Sequence, residues 1–133
     1  MSGLHEGKVG TSTLAVTAEV VDGFAHVTGD RNPIHMDDAA ASASPFGRRI
    51  AHGMIGASLI SRVVGTVMPG QGTVYLTQSM TFTGPVFIGD EITARVEAAE
   101  RLAQPGRWRL KTEVHKANGD LVITGDATVY FPE

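Results

Sequence analysis

The chain has 133 residues, of which 42% are apolar and 19% charged, with a formal net charge of −3. It contains no cysteine, which excludes disulfides, thiolate metal centres and cysteine nucleophiles, and its mild acidity offers no basic footprint to nucleic acid. That length fits one core, read as a single domain over residues 1–133, and the polar opening at Gly3–Gly10 has no apolar signal region, so a cytoplasmic protein is expected.

A short strand is expected near Ser12–Val16. Thr17 can cap a helix that carries Val20, Val21, Phe24 and Val27 on one stripe and stops at Gly29. Residues 30–47 read as irregular, because Asn32-Pro33 and Pro45-Phe46-Gly47 break the chain around a short helix at Asp37–Ala43. From His52 to Val67 runs the most apolar helix, with Met54, Ile55, Ala57, Leu59, Ile60, Val63, Val64 and Val67 nearly all round it. Ser58, Ser61 and Arg62 form its polar stripe. Such a helix must be covered on most sides. The 27 uncharged positions from Val63 to Gly89 approach the length of a membrane span, but Pro69, Pro85, Gln71 and Gln78 fall inside them. The stretch reads instead as the end of a helix followed by a core strand.

The second half alternates. Val74, Leu76, Met80 and Phe82 are expected to face inward, then Ile92, Ala94, Val96 and Ala98, then Trp108, Leu110, Thr112 and Val114. Leu121, Ile123, Ala127, Val129 and Phe131 complete the set, with Val122 outside. Period-two alternation marks an antiparallel sheet with one buried face. Asn118-Gly119 predicts a type I′ hairpin turn, Gln104-Pro105-Gly106 a second turn, and Gly84-Pro85 to Gly89-Asp90 a third connection with a bulge. The economical arrangement is α+β: a curved antiparallel sheet of about five strands wrapped round the long helix.

Titratable groups crowd into one loop, where Asp30, His35, Asp37 and Asp38 lie within nine positions. Pro33 keeps this loop from being helical, and a turn can bring Asp30 and His35 together. A carboxylate and an imidazole sharing a site can hold one water and move its protons near neutral pH. Asp30 could equally be a turn residue bonded to its own backbone, and His35 simply exposed. A metal set of Asp30, His35, Asp37 and His52 lacks any helical His-x-x-x-His pair, and no metal is expected. At Ala51-His52-Gly53-Met54, Gly53 leaves a helix N-terminal N–H unshielded, suited to a carbonyl gaining negative charge. Close packing at the helix start would also explain that glycine.

Asp30-Arg31-Asn32-Pro33-Ile34-His35-Met36-Asp37, followed by Phe46-Gly47-Arg48-Arg49-Ile50-Ala51-His52-Gly53-Met54, resembles the (R)-specific enoyl-CoA hydratases, the MaoC-like dehydratases of the hot-dog fold. The similarity continues through Pro69-Gly70-Gln71-Gly72, Tyr75-Leu76 and Pro85-Val86-Phe87-Ile88-Gly89-Asp90-Glu91. It implies that Asp30 and His35 activate a water that adds to C3 of a trans-2-enoyl-CoA, while the Gly53 N–H binds the thioester oxygen. Asn32 would support the loop, and Ser61 matches a serine lining the family's active site. The position before Ile50 is often proline in that family; here it is Arg49. Arg48, Arg49 and Arg62 are candidates for the coenzyme A phosphates. The resemblance implies an acyl-CoA substrate, no cofactor, and a homodimer that pairs two sheets. Two other readings remain: a thioesterase on the same fold, disfavoured by the absence of Asp and Glu from Gly53–Val67, and a non-catalytic acyl-thioester binder.

Overall fold

The computed structural model describes residues 3–132. Strand β1 (Val9–Ala15) opens the fold, longer and starting earlier than the short strand expected near Ser12–Val16, and is followed by α1 (Ala18–Thr28), α2 (Pro33–Met36), α3 (Asp38–Ser42) and α4 (Gly53–Thr66). Strands β2 (Val74–Gln78), β3 (Thr81–Phe82), β4 (Glu91–Arg101), β5 (Arg107–Lys116) and β6 (Leu121–Tyr130) complete it. The six strands make one antiparallel sheet in the order β1-β4-β5-β6-β2, with β3 also on β6. This is the hot-dog arrangement, with α4 packed on β1, β4 and β5.

The inward faces of β4 and β5 follow their alternation fully: Ile92, Ala94, Val96, Ala98, Trp108, Leu110, Thr112 and Val114 are all buried. Thr112 is tolerated there because Gln78 Nε2 donates to its Oγ1 at 2.9 Å. On β6 the expected phase breaks. The register with β5 shifts between Val114 and His115, so an extra residue enters β6 and the faces exchange. Val122 is therefore buried and Leu121 exposed, the reverse of the simple alternation.

The single strand expected from Val74 to Phe82 is two strands. The run leaves β6 at Ser79-Met80, where Gly125 lets the chains cross closely: a Cβ on Gly125 would stand 1.9 Å from the Ser79 carbonyl oxygen. Val74, Leu76 and Phe82 are exposed, not buried, because β2 is an edge strand and the two-residue β3 hangs on β6 outside the main strand path.

Helix α1 begins and ends as read. The Val20 N–H donates to Thr17 Oγ1 at 3.1 Å, and Gly29 closes the helix at φ 80°. Its core side is Val21 and Ala25, and Val27 lies 83% exposed. Helix α4 is buried on one face only, through Ile55, Gly56, Leu59, Ile60, Val63 and Val64, while Met54 is 52% exposed. One chain's sheet covers one side of that helix. Gly119 takes φ 94° and donates its N–H to the Lys116 carbonyl at 2.9 Å, but among the described residues no non-glycine residue has positive φ. The hairpin is thus a three-residue loop, not a type I′ turn. Among the described residues no helix is long and apolar enough to cross a membrane; the uncharged stretch is the end of α4, β2, β3 and their loops.

Candidate active site

The loop after Gly29 is built from side chains that bond nearby backbone. Asp30 Oδ1 accepts the Asn32 N–H at 3.2 Å, and Asn32 Oδ1 accepts the Ile34 N–H at 3.2 Å. Asn32 stays extended, as its proline neighbour demands, yet Pro33 then starts a helix. The expectation that this loop is non-helical is corrected at that point: proline suits the first helical position, whose N–H needs no partner. His35 therefore projects from the single turn of α2. Asp37 Oδ1 caps α3, accepting the N–H of Ala39 at 2.8 Å and of Ala40 at 3.2 Å.

His35 is half-buried, and its Nδ1 lies 2.8 Å from the Ile50 carbonyl oxygen. A carbonyl only accepts, so Nδ1 carries the hydrogen and the neutral ring keeps its lone pair on Nε2. His52 is buried, and its Nε2 donates to the Asp30 carbonyl at 2.9 Å. Ligating atoms of Asp30, His35 and His52 all lie within 4.8 Å of one another. These three residues, not Asp37, are the group that could face a cation. Because Nδ1 of His35 and Nε2 of His52 are donating to carbonyls, only Nε2 of the first and Nδ1 of the second have lone pairs to offer.

Gly53 begins α4 directly after His52, whose ring makes no cap to the helix. The Gly53 and Met54 N–H groups therefore keep their donor capacity, while the Ile55 N–H donates to the His52 carbonyl at 3.0 Å. A cavity of about 400 Å³ opens there, lined by His35, Gly53, Gly56, Phe82, Ile92 and Ile123 among others. Phe82 lies so close that a Cβ on Gly53 would stand 2.8 Å from its ring. An imidazole with a free lone pair and the start of α4 thus share one apolar cavity, with the exposed Asp30 carboxylate beside the imidazole. That set can polarise a carbonyl and move protons of one water.

A sequence model of the MaoC like domain matches residues 2–119. The chain belongs to the MaoC-like family. It is 44% identical over 118 residues to a 3-hydroxybutyryl-CoA dehydratase of Methylorubrum extorquens, covering 89% of this chain and 74% of that protein. It is 43% identical over 115 residues to the (R)-specific enoyl-CoA hydratase of Aeromonas caviae, covering 86% of each. The unliganded R-hydratase PhaJ1 of Pseudomonas aeruginosa superposes with a TM-score of 0.93 at 41% identity, covering 98% of this chain and 83% of that one.

Within this MaoC-like fold the remaining candidates separate. His35 lies beside Asp30 on one hand and shares a cavity with Gly53 on the other, while Asn32 Oδ1 is spent on the Ile34 N–H within the loop. Ser61 does not join them: it lines a second groove of about 490 Å³ with Phe24, Met54, Ser58, Tyr75 and Met80. Partial desolvation in that groove pushes the Tyr75 hydroxyl up to about 12. Arg62 reaches away from the site, donating from Nε to Ser12 Oγ at 3.0 Å and from Nη2 to the Thr13 carbonyl at 2.9 Å. Arg49 donates from Nε to the His35 carbonyl at 2.6 Å and pairs with Asp22 at 2.9 Å. Arg48 lies over the Phe87 ring, 4.1 Å from its centroid, near the cavity's Pro85–Val86 wall. Lys116, on the same ring at 5.1 Å, was not a sequence candidate. It hydrogen-bonds Asp90 Oδ2 at 3.1 Å. Desolvation raises the Asp90 carboxyl, but the Phe87 N–H and Lys116 together outweigh it and hold the group below its ordinary range.

Sequence reasoning did not identify the role of His52 at this site. The residue was visible in Ala-His-Gly-Met, but its partner is the backbone carbonyl of Asp30, to which the amino-acid types give no clue.

Proposed function

We propose that this chain is an (R)-specific enoyl-CoA hydratase, acting as one catalytic domain on trans-2-enoyl-CoA and reversing as a dehydratase. The observation that carries the reading is the His35 tautomer fixed by the Ile50 carbonyl, with Asp30 grouped beside that ring within 4.8 Å and Gly53 on the same apolar cavity. Asp30 and His35 hold one water. As its oxygen bonds to C3, an O–H bond breaks and the pair takes up the proton. A proton is then delivered to C2 on the same face, so the elements of water add across the double bond. The Gly53 N–H carries the charge that develops on the thioester oxygen. The thioester itself activates the alkene, and the reaction calls for no cofactor.

The thioesterase reading requires a carboxylate on the central helix, and α4 carries none. A non-catalytic binder has no use for the paired Asp30 and His35. Arg48 is the arginine best set for a coenzyme A phosphate, since Arg49 and Arg62 bond inward. A homodimer is supported by the edge strand β2, whose Val74, Tyr75 and Leu76 are exposed next to the groove at Met54 and Ser61. A second copy pairing there would cover both, and light scattering at micromolar concentration should report a dimer. We place the protein in the cytoplasm, where acyl-CoA is supplied.

The deciding experiment follows enoyl-thioester absorbance with crotonyl-, hexenoyl- and octenoyl-CoA. Loss of absorbance with a 3R product is expected. No turnover of any of the three, or a 3S product, would refute the assignment.

A further inference from the structure

A helix of one turn cannot satisfy its own carbonyl groups, and α2 is held from outside. The Ile50 N–H donates to the Ile34 carbonyl at 3.3 Å, and Arg49 Nε donates to the His35 carbonyl at 2.6 Å. In return His35 Nδ1 donates to the Ile50 carbonyl at 2.8 Å. Residues 49 and 50 thus grip His35 by its backbone and by its ring. The grip would drift with its own loop were it not anchored elsewhere. Arg49 Nη2 supplies the anchor, pairing with Asp22 of α1 at 2.9 Å.

We propose that Arg49 is a positioning residue for His35, its guanidinium tying the histidine's carbonyl to α1 through Asp22 and thereby setting the tautomer and aim of the ring. Two observations favour this over a phosphate contact. The Arg49 side chain is only 16% exposed, and two of its nitrogens are spent on the His35 carbonyl and the Asp22 carboxylate of this chain. The planar fork serves both acceptors at once, and a lysine ammonium on a flexible stem does not reproduce that geometry. The relation also explains how an arginine can stand next to Ile50 without loosening the loop: the clamp replaces backbone stiffness with two charge-assisted bonds.

The kinetic part of the test rests on the hydratase reading, and a spectroscopic part does not. Arg49→Ala should lower kcat on crotonyl-CoA by on the order of 10- to 100-fold, as expected for a displaced proton-transfer group, with KM changed far less. Arg49→Lys should recover melting temperature but not kcat, whereas a purely structural role would see both recover. Arg109→Ala, which removes an outer-face ion pair with Glu100 and Asp126, should keep the wild-type rate. In ¹⁵N-histidine NMR spectra the wild-type His35 should show a single Nδ1–H tautomer, and Arg49→Ala should show a mixture. Should Arg49→Ala fail to fold, Asp22→Ala removes the anchor at an exposed carboxylate and should give the same NMR signature with a smaller rate loss. A wild-type rate with an unchanged tautomer in Arg49→Ala, or an equal rate loss in Arg109→Ala, overturns the proposal. A wild-type protein inert on enoyl-CoA whose His35 tautomer still depends on Arg49 refutes the hydratase reading and leaves the positioning role standing.

Discussion

The rings of His35 and His52 stack with centroids 4.1 Å apart and planes tilted by 31°, while His52 reaches past the stack to hold the Asp30 carbonyl at 2.9 Å. One buried imidazole therefore touches both halves of the proposed acid–base pair. It presses on the ring of one and fixes the backbone of the other. Phe24 backs it from the far side, with ring centroids 4.9 Å apart.

This arrangement separates two effects of substituting His52. His52→Phe keeps an aromatic ring against His35 but leaves the Asp30 carbonyl without its donor, and a lost bond of this kind costs about 1–3 kcal/mol. We expect a folded protein with kcat lowered by about 10-fold or more. His52→Ala should lose the stack too and fall further. Steady-state rates on crotonyl-CoA, with circular dichroism as the folding control, check the order. Equal rates for His52→Phe and wild type would show that the Asp30 carbonyl contact is idle.

The proposed acid–base pair itself should be far more sensitive. Asp30→Asn keeps an oxygen for the Asn32 N–H, so the loop should survive and only the carboxylate's proton chemistry is lost. His35→Ala removes the free Nε2. Each should reduce kcat by about 10²-fold or more, the usual contribution of a placed acid or base. Folded variants with near wild-type turnover would remove these two residues from the mechanism.

The legible parts of the fold were those where local pattern and tertiary role coincide. β4 and β5 lie inside the sheet, so each has one face on α4 and alternates cleanly; Trp108 and Val96 went where period two sends them. Thr17 and Gly29 end α1 by local chemistry alone. β6 was misread because a register shift against β5 is a property of two strands together, and it turned Val122 inward. Val74 and Leu76 were misread because their faces lie at an edge that one chain does not cover. At the site, Asp30, His35 and Gly53 were legible as types able to do the chemistry. The contacts that aim them run to carbonyl groups of Ile50, Asp30 and His35, and every residue has a carbonyl. Ser61 went to the second groove because it lies on the exposed side of α4.

Asp90 makes a pH prediction. Its carboxylate accepts the Phe87 N–H at 2.8 Å and a hydrogen bond from Lys116 at 3.1 Å, and these hold its folded value below the ordinary one despite desolvation. A carboxyl lowered on folding adds stability that is complete above its unfolded value, about pH 4, and fades as pH falls through the folded value. Melting temperature should therefore decline more steeply on acidification in wild type than in Asp90→Asn, which starts lower at neutral pH. Parallel curves for the two proteins from neutral to strongly acid pH would contradict this.

Three glycines rank by what a methyl group would meet. At Gly125 the nearest atom is the Ser79 carbonyl oxygen at 1.9 Å, and the Ser79 backbone is fixed by its N–H bond to the Asp126 carbonyl at 2.8 Å. Backbone cannot step aside, so Gly125→Ala should break the crossing of β2 and β3 over β6 and fail to give native protein. At Gly56 the neighbour is Ile123 Cδ1 at 2.7 Å, a buried side chain that must leave its rotamer; overpacking of this sort costs about 1–3 kcal/mol. At Gly53 the neighbour is the ring of Phe82, which is half exposed and can swing outward. Gly53→Ala should therefore cost little stability, and its penalty should fall on kcat, because the methyl group stands beside the N–H assigned to the thioester oxygen. Denaturant melts combined with crotonyl-CoA kinetics separate the three, and Phe82→Leu in the Gly53→Ala background tests the cause. Full recovery of rate in that double variant would mean that the displaced ring was the whole effect; a persistent loss would locate it at the Gly53 N–H.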